Sequence, residues 1–302
     1  MITLNVNTSA HDTAGITKKY KKKSQSAEVW RRLRRNKAAM LGLVVAILLI
    51  LMAVFSSTLY DYETQVINQD IPNRLQPPSW AHPFGTDESG RDILARIVYG
   101  SRFSLSIGFS TVVFALTVGG TLGALAGYYG GWLDNILMRV MDIFLAIPGT
   151  LFAITLVAAL GQNTINLIIA LAISSVPGFA RILRSSVLSV REVEYVEAAR
   201  AIGATDSRII LQHVIPNSLA PVIVQSTLNV ATVILTIAGL SFLGLGVRPP
   251  QPEWGALLSS GRQYLRDYGY ITMFPGLAIM TTILALNLLG DGLRDALDPR
   301  LK

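Results

Sequence analysis

The sequence predicts an all-α integral membrane protein with six transmembrane helices and cytoplasmic N- and C-termini, on three observations. The first is composition: 51% of the 302 residues are hydrophobic and only 15% are charged, against about 25% charged in soluble domains. The second is the recurrence of apolar stretches near the roughly 20 residues that carry a helix across a bilayer core of about 30 Å. They lie at 38–60, 104–127, 136–160, 164–179, 217–240 and 273–289, the fourth being short. The third is the placement of cations. Alternating the spans from a cytoplasmic N-terminus puts 19 Lys and Arg inside and seven outside, the bias that orients membrane proteins.

Each element follows in order. Residues 1–37 form a basic cytoplasmic tail holding ten of the 26 basic residues, in "KKYKKK" (18–23) and "RRLRRNK" (31–37), the usual flank of a membrane segment. The first span, 38–60, reads as a retained anchor. Its apolar core from Met40 to Phe55 is long for a signal peptide, and "SSTLYDYE" after it offers no small-residue cleavage site. Residues 61–103 form an extracytoplasmic segment. Within it, 85–100 gathers Ile93, Leu94, Ile97 and Val98 on one helical face, with Arg91, Asp92, Ala95 and Arg96 opposite. That pattern suits either a helix on the outer membrane surface or a small amphipathic cap over the bundle.

Residues 104–302 form a core of five spans. Gly119, Gly123 and Gly127 recur every fourth residue, a spacing that lets helix backbones approach closely in lipid, within the chain or against a second subunit. Asp142 is costly in a span, and Arg139 on the same helical face is its expected neutralising partner, in preference to a direct transport role for the aspartate. Pro148-Gly149 and Pro177-Gly178 are expected to kink their helices, and the prolines of "VRPPQPEWGALL" to force a rigid outer loop. In the fifth span Gln225, Asn229, Thr232 and Thr236 make one polar stripe on an otherwise apolar helix. Two readings stand for it: a lining for the path of a passing solute, or glue between helices.

The chemistry available is narrow. There is no cysteine, so disulfides, thiolate metal sites and cysteine nucleophiles are excluded. His11, His82 and His213 are far apart, and no HExxH, GxSxG or GxxxxGK[ST] occurs. The chain is therefore not expected to hydrolyse ATP, nor to bind a metal or cofactor. Nucleic-acid binding would need cations interleaved with aromatics on a folded surface, and none is seen.

Between the fourth and fifth spans the chain turns polar, over about 190–216. Residues 192–202 read as a helix rich in small alanines, and Gly203 fits the residue after its C-cap, where positive φ costs glycine nothing. Thr205 or Asp206 then caps a second helix to about Ile215, with Pro216 ending it or opening the next span. An ordinary surface loop and a docking element both fit this pattern.

Here the residues resemble a known family. "EAARAIGATDSRIILQHVIP" is similar to the EAA loop of binding-protein-dependent ABC importer permeases. Glu197, Ala198, Ala199, Gly203 and Pro216 match at the family spacing, while His213 and Ile215 replace an Ile and a Leu. "FGTDESGRDILARIVYGSRFSL", "SFLGLGVRPPQPEWGALL" and "NLLGDGLRDALDPRLK" resemble the dipeptide/oligopeptide/nickel subfamily, in its second, C-type permease subunit. The resemblance, from about Trp30 to Lys302, implies a type I ABC importer permease fold in a bacterial inner membrane. It also implies a homologous second permease, two ABC ATPases that carry ATP and Mg, and an extracytoplasmic substrate-binding protein. In that family the loop docks in a cleft of the ATPase, which would give Glu197, Ala198, Ala199, Gly203, Asp206 and Pro216 a coupling role. A di- or oligopeptide is the expected cargo, a nickel chelate or glutathione the alternative, and a stand-alone channel or secondary transporter a remote one. A membrane-embedded enzyme is disfavoured by the near-empty catalytic inventory.

Overall fold

A computed structural model describes residues 25–298 and is built from helices throughout; the "KKYKKK" cluster, Arg300 and Lys302 lie outside the described residues. Helix α1 (Gln25–Leu33) lays Val29 and Leu33 against Ala39, Leu293 and Ala296. Span α2 (Lys37–Leu59) starts at Asn36, whose side chain accepts from the Ala39 amide at 3.1 Å and so satisfies one of the open N–H groups of the first turn. After α2 a turn of π-helix (Tyr62–Val66) and a short 3-10 turn (Ile71–Asn73) lead through the outer segment.

Span α3 (Ile93–Tyr129) is one helix of 37 residues, and it corrects the expectation of a separate amphipathic helix over 85–100. Residues 85–92 are a loop, with positive φ at Gly85 and Gly90, and Asp92 caps α3 by accepting from Ala95 N at 2.8 Å. The expected polar face is not solvated. Arg91 and Arg96 are 7% and 4% exposed and both bond the buried Asp87 carboxylate, Arg91 Nε at 2.8 Å. An internal ion cluster gave this stretch the periodicity of a surface helix.

The third span is broken. Helix α4 (Gly131–Leu145) and helix α5 (Gly149–Leu160) meet at 83°, at Pro148, which has no N–H to donate and disfavours helix in the residue before it. Pro177, by contrast, lies inside an uninterrupted α6 (Thr164–Val190). This helix runs eleven residues past the expected end at 179 because its cations have partners. Arg184 makes a two-point bond to Asp134 at 2.5 and 2.6 Å. Arg181 Nη2 donates to Asp142 at 2.6 Å, so the neutralising partner of Asp142 is Arg181 and not Arg139.

Helices α3 and α6 form the most extensive pair in the fold, and the glycine repeat lies in their contact. A Cβ added at Gly119 would stand 2.4 Å from the Val176 carbonyl oxygen, at Gly123 2.2 Å from that of Ala180, and at Gly127 2.8 Å from that of Arg184. The repeat therefore brings two backbones of this chain together.

Helix α7 (Glu194–Ala201) is followed by a turn and then α8 (Asp206–Ile209), a π-helical turn (Ile210–Val214) and span α9 (Ile215–Phe242). Nothing separates these last three: 206–242 is one continuous helix of 37 residues. Pro216 does not end a helix, as one expectation had it. It is the second residue of α9, two residues after the π-helical turn and inside the continuous helix. Helix α10 (Trp254–Gly261) and span α11 (Tyr270–Leu297) complete the fold, α11 packing on α2 and α9.

The outer ends of α3, α9 and α10 meet at Glu253, which is 2% exposed. Its Oε1 accepts from Gly255 N at 2.8 Å and Ser104 Oγ at 3.2 Å; its Oε2 accepts from Ala256 N at 2.8 Å and Ser241 Oγ at 3.1 Å. Burial pushes this carboxyl above the usual range, against the pull of those four donors. Beside it Trp254 Nε1 donates to Ile97 O at 2.9 Å.

Candidate coupling loop and translocation path

The cytoplasmic helix–turn–helix is built around its glycine. Gly203 adopts φ +81° with nothing within 4 Å of an added Cβ, so its backbone and not crowding demands glycine. The turn closes through Gly203 N on Arg200 O at 3.0 Å and Ala204 N on Ala199 O at 3.1 Å, which satisfy carbonyls left open at the end of α7.

The two faces of α7 differ. Val196 and Ala199 are buried, with Ile209 and Val214, against Tyr128, Leu183 and Val187 of α3 and α6. Glu197, Ala198, Ala201, Ile202 and Gly203 are exposed, and Ile202 stands 86% open at the tip of the turn. So of the matched alanines Ala198 faces outward and Ala199 faces the chain's own core at 8% exposure. Asp206 is exposed yet held: Tyr128 Oη donates to its Oδ1 at 2.7 Å. The Arg200 guanidinium carbon lies 6.0 Å from the Tyr128 ring centre, within cation–π range. Arg191 Nη1 donates to the carbonyls of Gly127 at 2.9 Å and Tyr128 at 3.3 Å. The loop is thus tied to the inner end of α3 by polar bonds and to α6 by apolar packing. Pro216 is exposed at the start of α9.

Sequence reasoning missed Tyr128, whose role depends on a contact across 78 residues. It also missed Ile202, although an apolar residue directly before the turn glycine was a readable signal.

The four stripe residues lie on one face of α9, with Thr232 exposed and Gln225, Asn229 and Thr236 half-buried. The threonine hydroxyls bond back along their own helix, Thr232 to Leu228 O at 3.1 Å and Thr236 to Thr232 O at 2.8 Å. Neither of these bonds crosses to a neighbouring helix. Leu228 and Ile234 point elsewhere, Leu228 against Gly290 of α11 and Ile234 buried at 2%.

A bundle of apolar spans, bent at one of them, with a polar cytoplasmic helix–turn–helix tied to its inner end, has the form of a transport permease. Residues 119–302 match the binding-protein-dependent transport system inner membrane component family, and residues 24–78 match the N-terminal transmembrane domain of oligopeptide transport permease C. The chain belongs to the first of these families and is a multi-pass permease of the inner membrane, a transport component of ABC importers. It is 50% identical over 275 residues to the dipeptide transport system permease protein DppC of Alkalihalophilus pseudofirmus, covering 91% of this chain and 90% of that one. It is 45% identical over 276 residues to the glutathione transport system permease protein GsiD of Pectobacterium atrosepticum, covering 91% of each. Among solved structures, a chain of the MetNI methionine ABC transporter in an inward-facing conformation has the same fold, with TM-score 0.54, 20% identity, and 68% of this chain and 98% of that one covered. An amino acid ABC transporter with histidines gives TM-score 0.51 at 15% identity, covering 67% and 94%.

Proposed function

We propose that this chain is the C-type permease of an importer of di- and oligopeptides, working with a homologous second permease, two ABC ATPases and an extracytoplasmic substrate-binding protein. ATP and Mg are held by the ATPases, and this chain binds no cofactor. The observation that carries the reading is the 50% identity to a dipeptide permease over nearly the whole chain, and the 45% identity to glutathione permeases keeps glutathione, itself a short peptide, as the second reading. The arm that decides the cargo is the partner binding protein, assayed for thermal stabilisation by dipeptides, longer peptides, glutathione and nickel chelates. Stabilisation by a nickel chelate alone would remove the peptide reading.

Coupling is assigned to the exposed face of the loop. Glu197, Ala198, Ile202 and Gly203 seat in the ATPase cleft, with Ile202 as the apolar knob, while Ala199 holds α7 onto α3 and α6. Tyr128 and Asp206 then transmit movement of the loop to the spans. Because the chain has no cysteine, Ala198→Cys or Ile202→Cys introduces its only thiol. In the assembled complex each is expected to form a disulfide with a cysteine scanned through the ATPase cleft, whereas Ala199→Cys stays largely unlinked. Absence of any link from both exposed positions would remove the docking assignment.

The translocation path is assigned to the stripe of Gln225, Asn229, Thr232 and Thr236. A peptide backbone needs hydrogen-bond partners wherever water is scarce, and the two amides offer them. Asn229→Cys and Thr232→Cys are expected to react with a small water-soluble maleimide at a rate that changes when ATP is trapped. Leu228→Cys and Ile234→Cys stay slow in both states. Equal labelling of all four would leave the stripe as packing.

A further inference from the structure

The inner surface carries a second polar feature that coupling does not use. Between α1, the start of α2 and the end of α11 lies an open depression of about 540 Å³, lined by Glu28, Arg31, Arg32, Arg35, Asn36, Asp295 and others. A water occupies about 30 Å³ of liquid, so the space holds a polar group of many atoms.

Its walls carry both signs of charge in a particular state. Glu28 is paired with Arg32 at 3.0 Å and lies 3.7 Å from Arg31, and Arg32 also donates to Asp298 O at 3.2 Å. Among the described residues Arg35 has no carboxylate within ion-pair distance and Asp295 has no cation. One open guanidinium and one open carboxylate thus face the same depression without meeting. The position is equally specific. Asn36 caps α2 there, so the depression sits where the chain enters its first apolar span. Trp30, 47% exposed on α1, is the side chain type that settles at the level of lipid headgroups.

We propose that this depression binds the headgroup of an aminophospholipid of the inner leaflet. Arg35, with Arg31, takes the phosphodiester, and Asp295 accepts from the primary ammonium. Basic pockets at the cytoplasmic ends of spans suit lipid phosphates, and guanidinium pairs well with their oxygens. The carboxylate adds a preference, because an ethanolamine ammonium donates hydrogen bonds and a choline group has none to give. The inference rests on the cytoplasmic placement of α1 and does not depend on the cargo or on the coupling loop.

The test is native mass spectrometry of the intact importer, released from bilayers of equal phosphatidylethanolamine and phosphatidylcholine. The complex is expected to retain phosphatidylethanolamine over phosphatidylcholine, and Arg35→Gln to weaken that retention about fivefold. Asp295→Asn is expected to erase the preference between the two lipids while leaving total lipid bound. Arg34→Gln, which removes the same charge outside the depression, is expected to change nothing. Equal retention of both lipids by the unaltered complex overturns the proposal, whatever the variants do. So does an equal loss in Arg34→Gln and Arg35→Gln, which would mark general surface charge. If free phosphoethanolamine displaces the lipid at comparable concentration, the site is one for a soluble phosphate and the lipid assignment fails.

Discussion

Replacing Glu253 by alanine is expected to lower the stability of the outer end of the fold by about 3 kcal/mol and to abolish transport. Four donors from three elements converge on this carboxylate. Removing it takes the cap from α10, a loss of about 1 kcal/mol. It also leaves buried hydroxyl and amide groups open, at about 1–3 kcal/mol for each group left without a partner. The isosteric Glu253→Gln is expected to be damaging too. Gly255 N and Ala256 N bond different oxygens of the carboxylate, so whichever way the amide is turned, its NH2 faces a backbone N–H. Thermal unfolding of the purified complex, with proteolysis of the outer loops, measures the effect. Wild-type behaviour of Glu253→Gln would mean that the two amides do not need both oxygens.

The second large effect is expected at Gly123. Its missing Cβ would stand 2.2 Å from the Ala180 carbonyl oxygen, and that atom is backbone in a helix, unable to rotate away. Valine there would force α3 and α6 apart along the most extensive helix contact in the fold. Overpacking commonly costs about 1–3 kcal/mol, and the loss of close contact along the helices adds to it. Gly123→Val is expected to leave little monodisperse protein by detergent size exclusion, and Gly123→Ala an intermediate amount. Gly178→Ala serves as the control, since an added Cβ there has nothing within 4 Å. Equal yields for the Gly123 and Gly178 variants would show that the helix pair adapts freely.

How far the sequence could be read depended on whether the relevant contact was local. Spans were legible because hydropathy is a property of a window, and the turn at Gly203 because a positive φ, here +81°, selects glycine at one position. The break at Pro148 was legible as a kink for the same reason, though not its 83° angle. Misreadings came where the partner lay far along the chain. Asp142 was matched to Arg139 by helical spacing, and the arginine that bonds it is 39 residues away. Arg91 and Arg96 had the periodicity of a solvated face because sequence does not say whether a charge meets water or Asp87. In the cytoplasmic helix–turn–helix the alanines Ala198 and Ala199 were indistinguishable by type. Only the packing of α7 on α3 and α6 shows that one faces outward and the other inward. The stripe on α9 was legible as a stripe, but the return of its hydroxyls to their own backbone was not.

The continuity of 206–242 has a mechanical consequence. At 1.5 Å per residue a helix of this length is a rod of about 55 Å, with the cytoplasmic turn at one end and the outer loop at the other. Phe242, at its far end, adjoins Ser241 and the Glu253 knot. A rod pivoting near its base multiplies angle by length: a tilt of about 5° at the turn displaces the outer tip by roughly 5 Å. If the turn docks as proposed, small movements there would reach the opposite side of the membrane enlarged.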